Sequence, residues 1–190
     1  VDFGPLESLM QKGDWETMGR QVGDAVAGLE KAGADFFLIC TNTMHKIAPV
    51  IEDRVKIPLL HIADAAAQVL IVDNIRKIGL LGTSFTMEQD FYKERLSKKY
   101  GIEVAVPGAQ DRDIVNSIIF KELCLGKITS TAKNEYIRII HLLEDQGAEA
   151  VLLGCTEIGM LVQPGDVQTR LYDTTPIHAA RAVEMALLDD

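Results

Sequence analysis

Basic side chains are in the minority in this sequence. Its 190 residues hold 19 lysines and arginines against 28 aspartates and glutamates, a formal charge of −9. Nucleic acids and anionic membrane surfaces are recognised by basic patches, so this balance argues against both as partners. It leaves the sign of a small substrate open, because local charge can oppose net charge. Cysteine is sparse as well: Cys40, Cys124 and Cys155 are the full set. Their number is odd, no CxxC pair occurs and no Cys/His spacing matches zinc, so neither a disulfide framework nor a metal is expected. Reduced thiols in a cytoplasmic protein are the ordinary reading. No apolar run reaches about 18 residues, so no membrane span is expected. The opening VDFGPLESL has neither the basic start nor the apolar centre of a secretory signal. Low-complexity tracts and long linkers are also missing.

What is present is ordinary globular composition, 47% hydrophobic with six prolines, enough for a real core. VDF at 1–3 reads as the tail of a strand broken by Gly4 and Pro5. From Asp14 to Lys31, Met18, Val22, Ala25, Val26 and Leu29 recur at helical spacing, and Gly33 closes the helix. ADFFLIC (34–40) is a continuous apolar run of the kind found in parallel strands covered on both faces. A helix follows over 41–55, interrupted before Pro49, then a strand at 57–62 and a helix at 63–77. Further strands are expected at 77–83, 102–108, 148–155 and 169–174. Further helices are expected at 84–100, 111–124, 131–146 and 175–188. Strands alternating with helices imply an α/β protein with parallel sheets.

A repeat runs through this pattern. EKAGADFFLICT (30–41) and EDQGAEAVLLGCT (144–156) each read helix end, glycine, acidic residue, apolar strand, cysteine, threonine. IPLLHIADAAAQ (57–68) and TRLYDTTPIHAARA (169–182) are the matching units that follow. Two pseudo-symmetric Rossmann-like α/β domains are therefore expected: residues 1–75 with 171–190, and 76–170. The second half opens with the strand KIGLLGT (77–83), which has no counterpart in the first. A strand and a helix of roughly 35–45 residues are thus expected upstream.

Ligands of parallel sheets sit beyond the carboxyl ends of the strands. Cys40 and Cys155 both lie at such ends, each before a turn into helix. Free backbone N–H groups there favour a substrate carboxylate and lower a thiol's pKa. Thr41, Asn42, Thr43 and Thr156 add short polar side chains, and Thr83, Ser84 and Thr86 stand at a third strand end. A lone cysteine in such a place is more often a small core residue. Two at equivalent repeat positions, each followed by threonine, favour chemistry instead. Inverting a stereocentre requires a base on one face of the α-carbon and an acid on the other, roles that thiolate and thiol exchange. Hydrogen bonds to the carboxylate then stabilise the enolate-like transition state. Glu157 either holds the adjacent turn or adjusts a thiol's protonation. His178 either orients a cysteine or caps a turn. His45 is open between site and surface, while His61 and Cys124 read as structural.

At these motifs the sequence resembles the cofactor-independent aspartate/glutamate racemase family. LICTNTMH (38–45) and LLGCTEIG (152–159) are similar to its two cysteine signatures, and IGLLGTSFTMEQDFY (78–92) and YDTTPIHA (172–179) extend the likeness along the chain. The resemblance is to the broad-specificity and aspartate racemase branch. It implies an active site between the two domains, Cys40 and Cys155 as acid and base, and substrate held by Asn42, Thr43, Thr83 and Thr156. Thr41, Ser84, Glu157 and His178 would lie close by. It also implies no cofactor and no metal, an amino-acid substrate, and a homodimer whose last strand and helix return to the first domain. Some aspartate racemases carry tyrosine and lysine where Phe120 and Cys124 align, which points to a broader or different substrate. The alternatives are a one-cysteine decarboxylase or isomerase relative, and a non-catalytic amino-acid-binding or thiol redox-sensing protein.

Overall fold

The computed structural model describes residues 1–187, the side chain of residue 3 excepted. Over the described residues the chain forms two compact units, residues 1–39 with 44–61, and residues 40–43 with 62–187. This differs from the expected division, which kept residues 62–75 and the chain's last segment with the first part. The end of that division, and the last residue of the helix expected at 175–188, lie outside the described residues.

The smaller unit begins with helix, not strand. Asp2 caps α1 (Phe3–Lys12) by accepting from the Gly4 N–H at 3.1 Å. Pro5 falls in the first turn, where its missing N–H costs nothing. Asp14 caps α2 (Trp15–Lys31), accepting from Thr17 N–H at 3.1 Å. Met18 and Val26 of this helix are buried as the periodicity predicts, but Ala25 and Leu29 face solvent. Gly19 and Gly23 take the inner face instead. A Cβ on Gly19 would lie 2.7 Å from Val50, so the glycines let α3 (Ala48–Glu52) approach closely. Gly33 follows α2 with φ 90°, as expected of a helix stop. The strands β1 (Phe37–Leu38) and β2 (Leu59–Leu60) pair in parallel and are only two residues long. Between them the segment expected as helix is a 3-10 turn (Thr43–Ile47) running into α3.

The larger unit opens with α4 (Ile62–Val72) and carries a four-stranded parallel sheet in the order β4 (Glu103–Ala105), β3 (Lys77–Gly82), β5 (Ala150–Gly154), β6 (Arg170–Asp173). Every residue of β5 is buried, because successive side chains feed two cores. Val151 and Leu153 join Tyr136, Ile139, Ile140 and Leu143 of α8 (Ser130–Asp145) and Val115 of α7 (Ala109–Lys121). Ala150 and Leu152 join Ala63, Ala66 and Leu70 of α4 with Tyr92 and Leu96. Parallel α/β architecture is thus what the sequence pattern predicts. The helix expected at 84–100 is broken into α5 (Ser84–Glu88), α6 (Asp90–Glu94) and a π turn (Arg95–Lys99), with Gln89 extended at the first break. The closing strand β6 pairs with β5, while α10 (Thr174–Leu187) packs on α4. Among the described residues no helix is long and apolar enough to cross a membrane.

The repeat seen in the sequence reappears as topology. The β1–α3–β2–α4 run and the β5–α9–β6–α10 run (α9, Ile158–Leu161) each join two parallel neighbouring strands through a short helix. In the larger sheet Gly82 and Gly154 are register partners at the two strand ends. A Cβ on Gly82 would lie 2.9 Å from the Gly154 carbonyl oxygen, a backbone atom that cannot rotate away. Gly82→Ala is expected to destabilise the protein by about 1–3 kcal/mol, the usual scale of overpacking. Urea unfolding checks this, and an unchanged midpoint would show that the strand ends have slack.

Candidate active site

The strand ends fix the polar residues. Where β5 ends, Cys155, Thr156 and Glu157 make the turn into α9. The Cys155 thiol donates to Glu157 Oε2 at 2.9 Å, and the Thr156 hydroxyl donates to the same oxygen at 2.8 Å. Cys155 is half-buried against the core that includes Leu123, Ile158 and Leu161. Burial first, then the hydrogen bond to Glu157 and its charge, push this thiol far above the ordinary thiol range. The expected lowering by a helix N-terminus is therefore reversed. The helix is four residues long, and the carboxylate stands where the positive end was meant to act.

At the end of β3, Thr83 caps α5 by accepting from the Thr86 N–H at 3.4 Å. Its hydroxyl lies 3.0 Å from that of Thr43 and 3.2 Å from that of Thr86. The Thr43 and Thr86 hydroxyls are 3.5 Å apart, which closes a three-hydroxyl cluster. The Ser84 N–H donates to Asn116 Oδ1 at 2.9 Å.

The end of β6 supplies the third anchor. Thr174 donates its hydroxyl to the Leu153 carbonyl at 2.9 Å and accepts from Asn42 Nδ2 at 3.0 Å. Because the Thr174 proton is committed to Leu153, the Asn42 amide is oriented with nitrogen toward Thr174. Its Oδ1 is buried without a hydrogen-bond partner. A buried acceptor left unmatched is uncommon and marks a place for an incoming donor. Through this chain the Cys40–Thr43 segment is tied to the strand that ends just before Cys155.

Cys40 and Thr41 are exposed. His178 is buried on α10. His45 is also buried, its ring 4.3 Å from that of His61, so these two histidines pack on each other in the smaller unit. Thr174 and Asn116 join the network although the sequence reading did not single them out. Only the position of Thr174 directly after a strand hinted at its role. Cys124, which the sequence suggests as packing, is exposed; the partial loss of water around its thiol, followed by the Glu157 charge, raises its pKa. Among the described residues no three His, Cys, Asp or Glu side chains gather as metal ligands.

A family model described as Asp/Glu/hydantoin racemase matches residues 2–182. The fold is similar to that of a Yersinia pestis protein assigned as an Asp/Glu racemase, with 50% identity, TM-score 0.93, and 98% of this chain and 81% of that one covered. An aspartate racemase homologue from Pyrococcus horikoshii OT3 is 35% identical, with TM-score 0.81 and coverage of 90% and 75%. The broad specificity amino-acid racemase RacX of Bacillus subtilis (strain 168) is 32% identical over 91 residues, 48% of this chain and 39% of that protein. The match to this curated relative thus spans well under half of its length.

Proposed function

The chain belongs to the Asp/Glu/hydantoin racemase family, and from that premise we propose that it interconverts the L- and D-forms of an amino acid with Cys40 and Cys155 as opposed acid and base. The observation that carries this reading is the Asn42–Thr174–Leu153 hydrogen-bond chain. It holds the Cys40 segment at the end of the strand that leads into Cys155 and leaves Asn42 Oδ1 open.

In this mechanism one cysteine, as thiolate, removes the α-proton and the other, as thiol, returns a proton to the opposite face. Asn42 Oδ1 accepts from the substrate α-ammonium. Thr41, Thr43, Thr83, Ser84 and Thr156 surround the carboxylate, whose oxygens gain charge as the α-proton leaves. Glu157 holds the Cys155 proton and supports its exchange, and His178 supports the site from α10. Because the hydroxyls and the amide are already held by one another, little reorganisation is required when the carbanion forms. The homodimer and the cytoplasmic location expected from the sequence belong to the same reading.

The test is racemisation in deuterated water with a panel of L- and D-amino acids. Inversion accompanied by one α-deuterium is expected for at least one amino acid, starting from either enantiomer. Binding without inversion or exchange across the panel would leave a binding protein and overturn the proposal.

A further inference from the structure

A cavity of about 370 Å³ lies in the larger unit beside β6, the last strand of its sheet. That volume falls within the range of small-molecule sites. Val69 of α4, Val162, Pro164, Leu171 of β6 and Ile177 of α10 give it apolar walls. Neither Cys155 nor any member of the three-hydroxyl cluster lines it, so it is distinct from the candidate active site. Three polar side chains reach the lining. Tyr172 donates its hydroxyl to Asp73 Oδ2 at 2.5 Å, and Gln163 turns its Nε2 to the Gly159 carbonyl. Asp173 Oδ1 accepts from the Thr175 N–H at 2.8 Å. Among the described residues Asp173 has no other hydrogen bond and no ion pair, so its Oδ2 is an unmatched acceptor. Gly159, also in the lining, makes room for it, because a Cβ at that position would overlap Oδ2. No lysine, arginine or histidine lines the cavity. Its polar end is therefore negative and rich in acceptors, and the rest of its wall is apolar.

We propose that this cavity is a second ligand site, one that takes a small organic amine, with the ammonium group on Asp173 Oδ2 and the apolar body against Val69, Leu171 and Ile177. An ammonium group brings donors and no acceptor, which matches Asp173 Oδ2 and the Gln163 Oε1 left over once Nε2 is committed. A carboxylate or phosphate ligand meets like charge there and no cation. A wholly apolar ligand strips water from Oδ2 and returns no donor to it, which costs free energy. The hydrogen bond from an ammonium to a carboxylate is of the stronger, charge-assisted class. The site is independent of the racemase reading, since no thiol takes part in it and Asp173 has no role in the proposed proton transfer.

Three probes of one shape and different charge test the proposal: 2-phenylethylamine, 2-phenylethanol and 3-phenylpropanoate. Each is titrated into the 190-residue chain near neutral pH, with binding read by calorimetry and by amide NMR shifts. The amine is expected to bind with a Kd of about 1 mM or below, about tenfold or more tighter than the alcohol, and the acid weakest of the three. Salt should weaken the amine and leave the alcohol unchanged. Asp173→Asn keeps the acceptor for Thr175 and removes the charge. It should bring the amine down to the level of the alcohol without moving the alcohol itself, a selective change that general misfolding would not produce. Val69→Phe narrows the cavity from α4 and should weaken amine and alcohol together, which serves if the asparagine variant does not fold. Alkylation of Cys40 and Cys155 with iodoacetamide should leave amine binding intact. An alcohol that binds as tightly as the amine, an amine that keeps its affinity in Asp173→Asn, loss of amine binding on alkylation, or no binding by about 10 mM would each overturn the proposal. None of these outcomes bears on racemisation, which the deuterium experiment tests separately.

Discussion

Alanine at Cys40 or at Cys155 is expected to lower racemisation by roughly 10²- to 10⁴-fold, the usual contribution of a positioned acid or base. The two variants should fail differently. If each thiol serves one face of the α-carbon, Cys155→Ala retains the base for one enantiomer and Cys40→Ala the base for the other. Each variant should then exchange the α-proton of a single enantiomer with deuterated solvent, with retention of configuration. Proton exchange without inversion, of opposite preference in the two variants, is a result that simple misfolding would not produce. Full racemisation by either variant would make the two-base mechanism untenable. Loss of exchange for both enantiomers in both variants would mean that the thiols act together on one proton. Both cysteines leave the main cores intact when truncated, since Cys40 is exposed and Cys155 only partly buried, so the variants should fold.

The sequence made the strands of the larger sheet legible for a physical reason. β3 and β5 are covered on both faces, so their residues are apolar without interruption, and turn residues mark both ends. β1 and β2 carry the same composition but pair over two residues, and nothing in the composition of ADFFLIC sets that length. Local chemistry misled at residues 1–12. Gly4 and Pro5 look like breakers, yet both positions are tolerated in a first helical turn, and Asp2 supplies the cap. In α2 a hydrophobicity count selected Ala25 and Leu29, whereas close packing against Val50 and Arg54 selects Gly19 and Gly23. The absence of a side chain is invisible to a pattern built from apolar residues.

The candidate site divides along the same line. Cys40, Thr83, Cys155, Thr156 and Glu157 were nameable because each follows an apolar strand in the sequence. Thr174 reaches Asn42 across 132 positions and Asn116 reaches Ser84 across 32. Pairings at such separation are set by the order of strands in the sheet, and no local motif encodes them. The direction of the Cys155 shift is hidden from the sequence for a related reason. A helix N-terminus after a strand is visible in the sequence, but the effect of Glu157 depends on a turn that points its carboxylate back at the thiol.

Glu157→Gln turns that contact into a measurement. The variant removes a negative charge and keeps the shape, so the Cys155 thiol should fall toward its ordinary value while burial still holds it above. For the enantiomer deprotonated by Cys155, kcat/KM should begin its rise at lower pH. For the enantiomer to which Cys155 returns a proton, the alkaline decline should also begin at lower pH. On a limb limited by thiolate fraction, each unit of displacement is worth about tenfold in rate. Stability gives an independent reading of the same group. A thiol whose folded pKa is raised contributes stability below its unfolded value, and that contribution is lost as pH climbs past 9.0 toward the folded value. The unaltered protein should therefore weaken progressively as pH rises above about 9 in urea titrations, with Cys124 acting in the same direction. Glu157→Gln should weaken less over the same rise in pH. Matching pH-rate profiles and matching alkaline slopes in the two proteins would mean that Glu157 braces the turn through Thr156 and has no hold on the Cys155 proton.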